Sequence, residues 1–147
     1  MFSKATEYAL RAVIFIARKG SEDRKLGIDE IARGIGSPRH FTAKILQLLA
    51  SDIRIVSSVR GPNGGFYITD KSKKLPVRAI LIAMKEDEVL GKCVLGLKKC
   101  SEVKPCPMHA QYKTIKQQLI SLFEDKSIES LAMEMSESTF LTYKQST

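Results

Sequence analysis

The sequence predicts a mainly α fold with one small β-hairpin. Three observations carry that expectation. Apolar residues recur at helical spacing through residues 4–19 and again through 38–49. A glycine-rich turn, Gly61-Pro62-Asn63-Gly64-Gly65, interrupts a stretch rich in β-branched and aromatic residues directly after the second of those segments. The chain has 147 residues, enough for one compact domain and an appendage.

Taken in order, KATEYALRAVIFIARK at residues 4–19 places Tyr8, Ala12, Phe15 and Ile16 on one helical face, with Gly20 where the helix should end. After the polar loop SEDRK comes IDEIARGIGSPRHFTAKILQLLASD. It reads as a short helix, a glycine-containing turn near Gly34 to Gly36, and a longer helix with Ser37 as N-cap and Pro38 at the first helical position. Phe41, Ile45, Leu48 and Leu49 should face the core of that pair, which has helix-turn-helix spacing. Ile55 to Val59 and Phe66 to Thr69 should form the hairpin, with Arg60 at its tip. A hairpin after a helix-turn-helix is the layout of a winged helix. Leu75-Pro76 opens a further helix to about Met84, striped by Val77, Ile80, Leu81 and Met84. An irregular stretch punctuated by Gly91, Gly96, Pro105 and Pro107 follows, then a long helix from His109 to Lys126 with Ile115, Leu119, Leu122 and Phe123 on one face. A final short segment begins at Ser127. A lone helix of that length needs a partner surface, most economically the same helix of a second chain. The expected organisation is a winged helix-turn-helix domain over 1–84, a cysteine loop over 85–109, and a dimerisation helix with its tail over 110–147.

Charge divides unevenly between these parts. Residues 1–84 carry 15 Lys+Arg against 7 Asp+Glu, residues 85–147 carry 9 against 9, and the whole excess of +8 lies in the first part. A polyanion-binding domain joined to a neutral module produces that asymmetry. The first apolar run, Ala12 to Ala17, is short, bracketed by Arg11 and Arg18 and preceded by Glu7, so it reads as an amphipathic helix rather than an export signal. No run approaches the roughly 20 apolar residues of a membrane span. The expected location is the cytoplasm.

All three cysteines, Cys93, Cys100 and Cys106, fall in the irregular stretch, with His109 just beyond. A reducing cytosol disfavours structural disulfides, and three thiols cannot all pair. Structural zinc sites commonly separate ligands by two to four residues, which the spacing Cys-x6-Cys-x5-Cys fits poorly. Thiolates spread along a glycine- and proline-containing loop can instead hold an iron–sulfur cluster. Lys92, Lys98, Lys99 and Lys104 around the loop would lower thiol pKa values and offset thiolate charge.

The string VSSVRGPNGG, the helix-turn-helix before it and the cysteine triplet after the fourth helix together resemble the IscR/NsrR family of bacterial winged-helix transcription regulators. The resemblance runs from about Lys4 to Phe123. It implies a homodimer that binds double-stranded DNA at two-fold related half-sites, with affinity controlled by a cluster on Cys93, Cys100 and Cys106. For the fourth ligand it offers two residues. His109 matches a branch that uses histidine with a two-iron cluster, and Glu7 matches a branch in which a carboxylate crosses the dimer. A [2Fe–2S] cluster is expected over a [4Fe–4S] one, and aerobic purification is expected to lose it. Matching the family's motif also makes Pro38, His40, Ala43 and Lys44 base-facing, with Arg39 beside them. Ala43 departs from the IscR pattern, which has a carboxylate there, so the resemblance does not carry over the operator sequence, and Ala43 would at most touch a thymine methyl. Arg60 matches an arginine inserted into a minor groove, and the turn containing Gly61 and Asn63 can approach phosphates closely.

Other functions fit less well. A thiol redox switch on the same cysteines keeps the DNA-binding reading without a cluster. A small electron-transfer protein would not need a basic helix-turn-helix. The winged helix could also serve as a protein-interaction module. No nucleophile elbow, phosphate-cradling glycine motif or metalloprotease signature points to an enzyme.

Overall fold

A computed structural model describes residues 2–96, 103 and 105–135 of the chain. The first helix, α1 (Lys4–Lys19), is capped by Ser3, whose hydroxyl accepts from the Thr6 backbone N–H at 3.2 Å. Glu7 in its first turn and Arg18 and Lys19 in its last oppose the helix dipole with the favourable signs. Ala9, Ala12, Val13 and Ile16 are fully buried. Around this apolar face pack α2 (Ile28–Ile35), α3 (Arg39–Leu49), α5 (Arg78–Ala83) and α7 (Ile128–Glu134).

The α2–α3 pair has the expected helix-turn-helix form, with two local corrections. Gly34 is not part of the turn: it lies inside α2 against the Phe15 ring, where any side chain would collide. The turn rests on Gly36, whose φ of 68° is a left-handed cap. Ser37 does not cap α3 and Pro38 is not its first helical residue. Pro38 is extended at ψ 144° and serves as the N-cap. The buried Thr42 hydroxyl donates to the Pro38 carbonyl and is hydrogen-bonded to the Ser37 hydroxyl, each at 2.9 Å, which occupies Ser37 sideways. Ile45 and Leu49 are buried and Phe41 is half-buried as expected, but Leu48 is turned outward, 42% exposed, and Leu46 fills the core in its place.

The hairpin is shorter than the sequence implies. Strand β1 (Ser57–Val59) pairs antiparallel with β2 (Gly65–Tyr67), Ser58 opposite Phe66. Ile55, Val56 and Ile68, read as strand, leave the ladder and enter the core instead. Phe66 also exchanges backbone hydrogen bonds with Leu26, at 2.9 and 2.7 Å, so the wing is tied to the chain between α1 and α2.

Thr69, expected at the strand end, caps a short helix α4 (Asp70–Lys73) that the sequence reading does not contain. Helix α5 starts at Arg78 rather than at Leu75-Pro76. The reason is a backbone bridge: Val77 N–H donates to the Lys126 carbonyl and Ile128 N–H to the Leu75 carbonyl, both at 2.9 Å. A 3-10 turn, Asp87–Leu90, then leads toward the cysteine segment.

Helix α6 (His109–Asp125) is where the sequence places it. Phe123 packs on the core and meets the Phe2 ring edge-on at 5.6 Å, and Arg78 pairs with Glu124 at 2.7 Å. Ile115 and Leu122 on the same helix remain half exposed. Ser127 caps α7, whose Ile128 and Ala132 are buried, and Arg18 donates to the Ala132 carbonyl at 3.1 Å. Helix α7 therefore closes back on α1.

Candidate functional site

The helix-turn-helix and the wing present their polar residues outward. On α3, Pro38, Arg39, His40 and Lys44 are exposed and Ala43 is half-buried, while Thr42, Ile45, Leu46 and Leu49 anchor the opposite side. His40, Ala43, Lys44 and Gln47 follow the i, i+3, i+4, i+7 pattern and so share one face. Gln47, exposed on that face, belongs to the same periodicity, although it carries no motif that marks it in the sequence. Arg39 Nε donates to Asp29 Oδ1 at 2.7 Å, a pairing across the turn that spacing along the chain cannot reveal.

Arg60 is exposed directly after β1, and Gly61, Pro62 and Asn63 continue the exposed tip. Gly61 has φ 104° and open space around it, whereas Gly65 has φ 144° and sits over the Leu26 carbonyl. The tip can thus be approached closely while its base is fixed to the domain.

Of the cysteine set, the structure brings two together. Cys93 is buried, Cys106 is half-buried, and their sulfurs are 3.7 Å apart, well beyond disulfide length. Two thiolates on one tetrahedral metal, with bonds of about 2.3 Å, stand about 3.8 Å apart. The pair therefore has the separation of two thiolates on one tetrahedral metal. His109 is buried, and its backbone N–H donates to the Cys106 carbonyl at 3.0 Å, so the imidazole starts within one turn of that thiol. Cys100, Lys98, Lys99 and Lys104 lie outside the described residues, and among the described residues no three His, Cys, Asp or Glu side chains form a metal-sized group. Glu7 faces Arg11 at 3.9 Å and Lys4 at 4.0 Å on its own helix.

One residue missed from sequence links these regions. Glu86, between α5 and the 3-10 turn, accepts from the Ser3 backbone N–H at 3.1 Å and from the Thr6 hydroxyl at 2.9 Å. The hydrogen bonds from Ser3, aided by Thr6, hold its carboxyl below the usual range despite the opposing cost of partial burial. The start of the cysteine segment is thereby fastened to the N-terminus of α1.

Residues 2–134 match the family described as "Rrf2: Iron-dependent Transcriptional regulator". The chain belongs to the Rrf2 family. A protein of Aquifex aeolicus (strain VF5), provisionally named an HTH-type transcriptional regulator, is 32% identical over 89% of this chain and 90% of its own. The fold is shared with CymR, "the Global Cysteine Regulator of B. subtilis", at TM-score 0.72 and 16% identity, over 92% of this chain and 98% of that one. It is shared also with T. potens IscR at TM-score 0.69 and 15% identity, over 94% and 90%. This Rrf2 protein is a DNA-binding transcription regulator of bacterial type, not an enzyme. No described helix is long and apolar enough to cross a membrane.

Proposed function

We propose that this regulator acts as a homodimer whose affinity for a two-fold operator is set by an iron–sulfur cluster held by Cys93, Cys100, Cys106 and His109, with Glu7 as the alternative fourth ligand. The observation that carries the reading is the 3.7 Å approach of Cys93 and Cys106, thirteen residues apart in sequence, beside a buried His109. Bound there, a cluster would supply an electron-accepting, oxidant-labile centre. The protein's part is to hold and orient. The turn that leads into α6 positions Cys106 and His109, while Leu90 is buried and Glu86 fastens the other end of the segment to α1. Pro38, His40, Ala43 and Lys44, with Arg39 beside them, face a major groove, and Arg60 with Gly61 and Asn63 faces the adjacent minor groove.

The same sulfur approach favours a second reading, in which the two thiols close to a disulfide under oxidation and no cluster forms. Purification without oxygen separates the two. The cluster reading expects a visible chromophore with two irons and two sulfides per chain, lost in Cys100→Ala without unfolding. A colourless protein that resists reconstitution leaves the thiol switch. A brown, iron-loaded Cys100→Ala protein defeats the ligand set. His109→Ala and Glu7→Ala then assign the fourth ligand by which one shifts the spectrum.

A further inference from the structure

Two clefts flank α3, one at each end. The first is lined by Asp29, Arg33, Ser37, Pro38 and Arg39, between α2 and the start of α3. The second lies between the later turns of α3 and the wing and includes Lys44, Gln47, Ser51 and Ser58, with a volume of about 510 Å³. We propose that these clefts seat the two sugar–phosphate strands bordering the major groove, with Arg33 and Arg39 on one side and Lys44, Gln47 and Ser58 on the other. Base reading is then left chiefly to His40, with Ala43 at the edge of the second cleft. The inference rests on the DNA-binding reading and adds to it a division of labour.

Geometry and chemistry both favour this seating. Arg39 and Gln47 are eight residues apart on one helix, about 12 Å of rise, against a major groove about 12 Å wide. A wing tip in the minor groove and a helix in the adjacent major groove have a single backbone strand between them, and the second cleft is the space between helix and wing. Its floor is apolar, with Ile28, Leu46 and Phe66, and its polar side chains suit a phosphodiester: a lysine, an amide and hydroxyls, all able to donate and none acidic. The first cleft contains one carboxylate, Asp29, but that group is engaged. It takes the Nε hydrogen of Arg39 at 2.7 Å and leaves the Nη hydrogens of the guanidinium to donate. Asp29 is a positioning residue here, fixing the fork rather than repelling the strand. Arg33 is exposed beside it, one helical turn from Asp29.

The test combines selection of preferred duplexes from a random pool with affinities measured across a salt series. For Arg33→Gln and Lys44→Gln the expected result is a slope of log affinity against log salt that is shallower by about 0.9 per contact removed. Affinity should fall alike on selected and scrambled duplexes, and the selected sequence should not change. Gln47→Ala should weaken both duplexes with the slope intact, because the contact is uncharged. His40→Ala should change the selected sequence. An Arg33→Gln protein with wild-type slope and affinity overturns the first seat, and a Lys44→Gln protein with altered base preference overturns the second. These positions are exposed, so a wild-type melting temperature in each variant separates loss of contact from loss of fold. If wild-type protein enriched no sequence, operator recognition would fall while the salt slopes on arbitrary duplex still decided the seating.

Discussion

Gly65 shows how a single residue fixes the wing. Its φ of 144° is disfavoured for side-chain-bearing residues, and an added Cβ would lie 2.7 Å from the Leu26 carbonyl oxygen, which accepts the Phe66 N–H. Gly65→Ala should therefore cost about 1–3 kcal/mol in denaturant unfolding. Gly61→Ala, with a positive φ but open space, should cost less. Equal losses at the two sites would mean that the contact with Leu26 contributes nothing. Arg60, one residue before Gly61, makes a functional claim instead. If its guanidinium enters a minor groove, Arg60→Ala should weaken DNA binding and flatten the salt slope, leaving the melting temperature unchanged. An unchanged slope would remove the wing tip from the interface.

At the scale of elements, the junction between α1 and the cysteine segment carries a pH dependence. Glu86 has a carboxyl pKa lowered from its ordinary 4.5 by hydrogen bonds from Ser3 and Thr6. A depressed folded-state pKa contributes stability that is full above the unfolded value and is lost as pH falls through the folded one. Melting temperatures of wild type and Glu86→Gln should thus differ most near neutral pH and converge in acid. A difference that grows on acidification would contradict the assignment. The junction was invisible in the sequence because Ser3 and Glu86 are 83 residues apart and neither belongs to a motif. The elements that were legible have strong periodicity or distinctive turn chemistry: α1, the α2–α3 pair, the GPNGG turn and α6. The errors arose where backbone hydrogen bonds were committed elsewhere. Leu75 and Val77 bridge to Ile128 and Lys126 at the start of α7, which delays α5, and Thr69 caps α4 instead of extending β2. In the candidate site, the exposed face of α3 was readable from its spacing. The Asp29–Arg39 pair and the two clefts were not, because they depend on how two helices and a wing converge.

For the whole molecule, the decisive question is what covers α6. Ile115 and Leu122 are 53% and 50% exposed, Leu119 lies between them, and Phe123 on the inner side already packs on the core. An apolar stripe at three-to-four spacing on a 17-residue helix matches the seam of an antiparallel or crossed helix pair. Pairing through it would join two basic domains so that one operator engages two recognition helices. Linking two sites in this way multiplies affinity by about 10²–10⁴ without a new DNA contact. The double substitution Ile115→Asp with Leu122→Asp tests the arrangement because both side chains are half in water, so the 16.4 kDa protomer should fold unaided. Sedimentation should show one chain where wild type shows two. Affinity for a complete two-fold operator should fall at least tenfold, while affinity for an isolated half-site should stay unchanged. A variant that remains dimeric would move the interface off α6. A monomer that binds both duplexes as wild type does would mean that the two domains act independently on DNA.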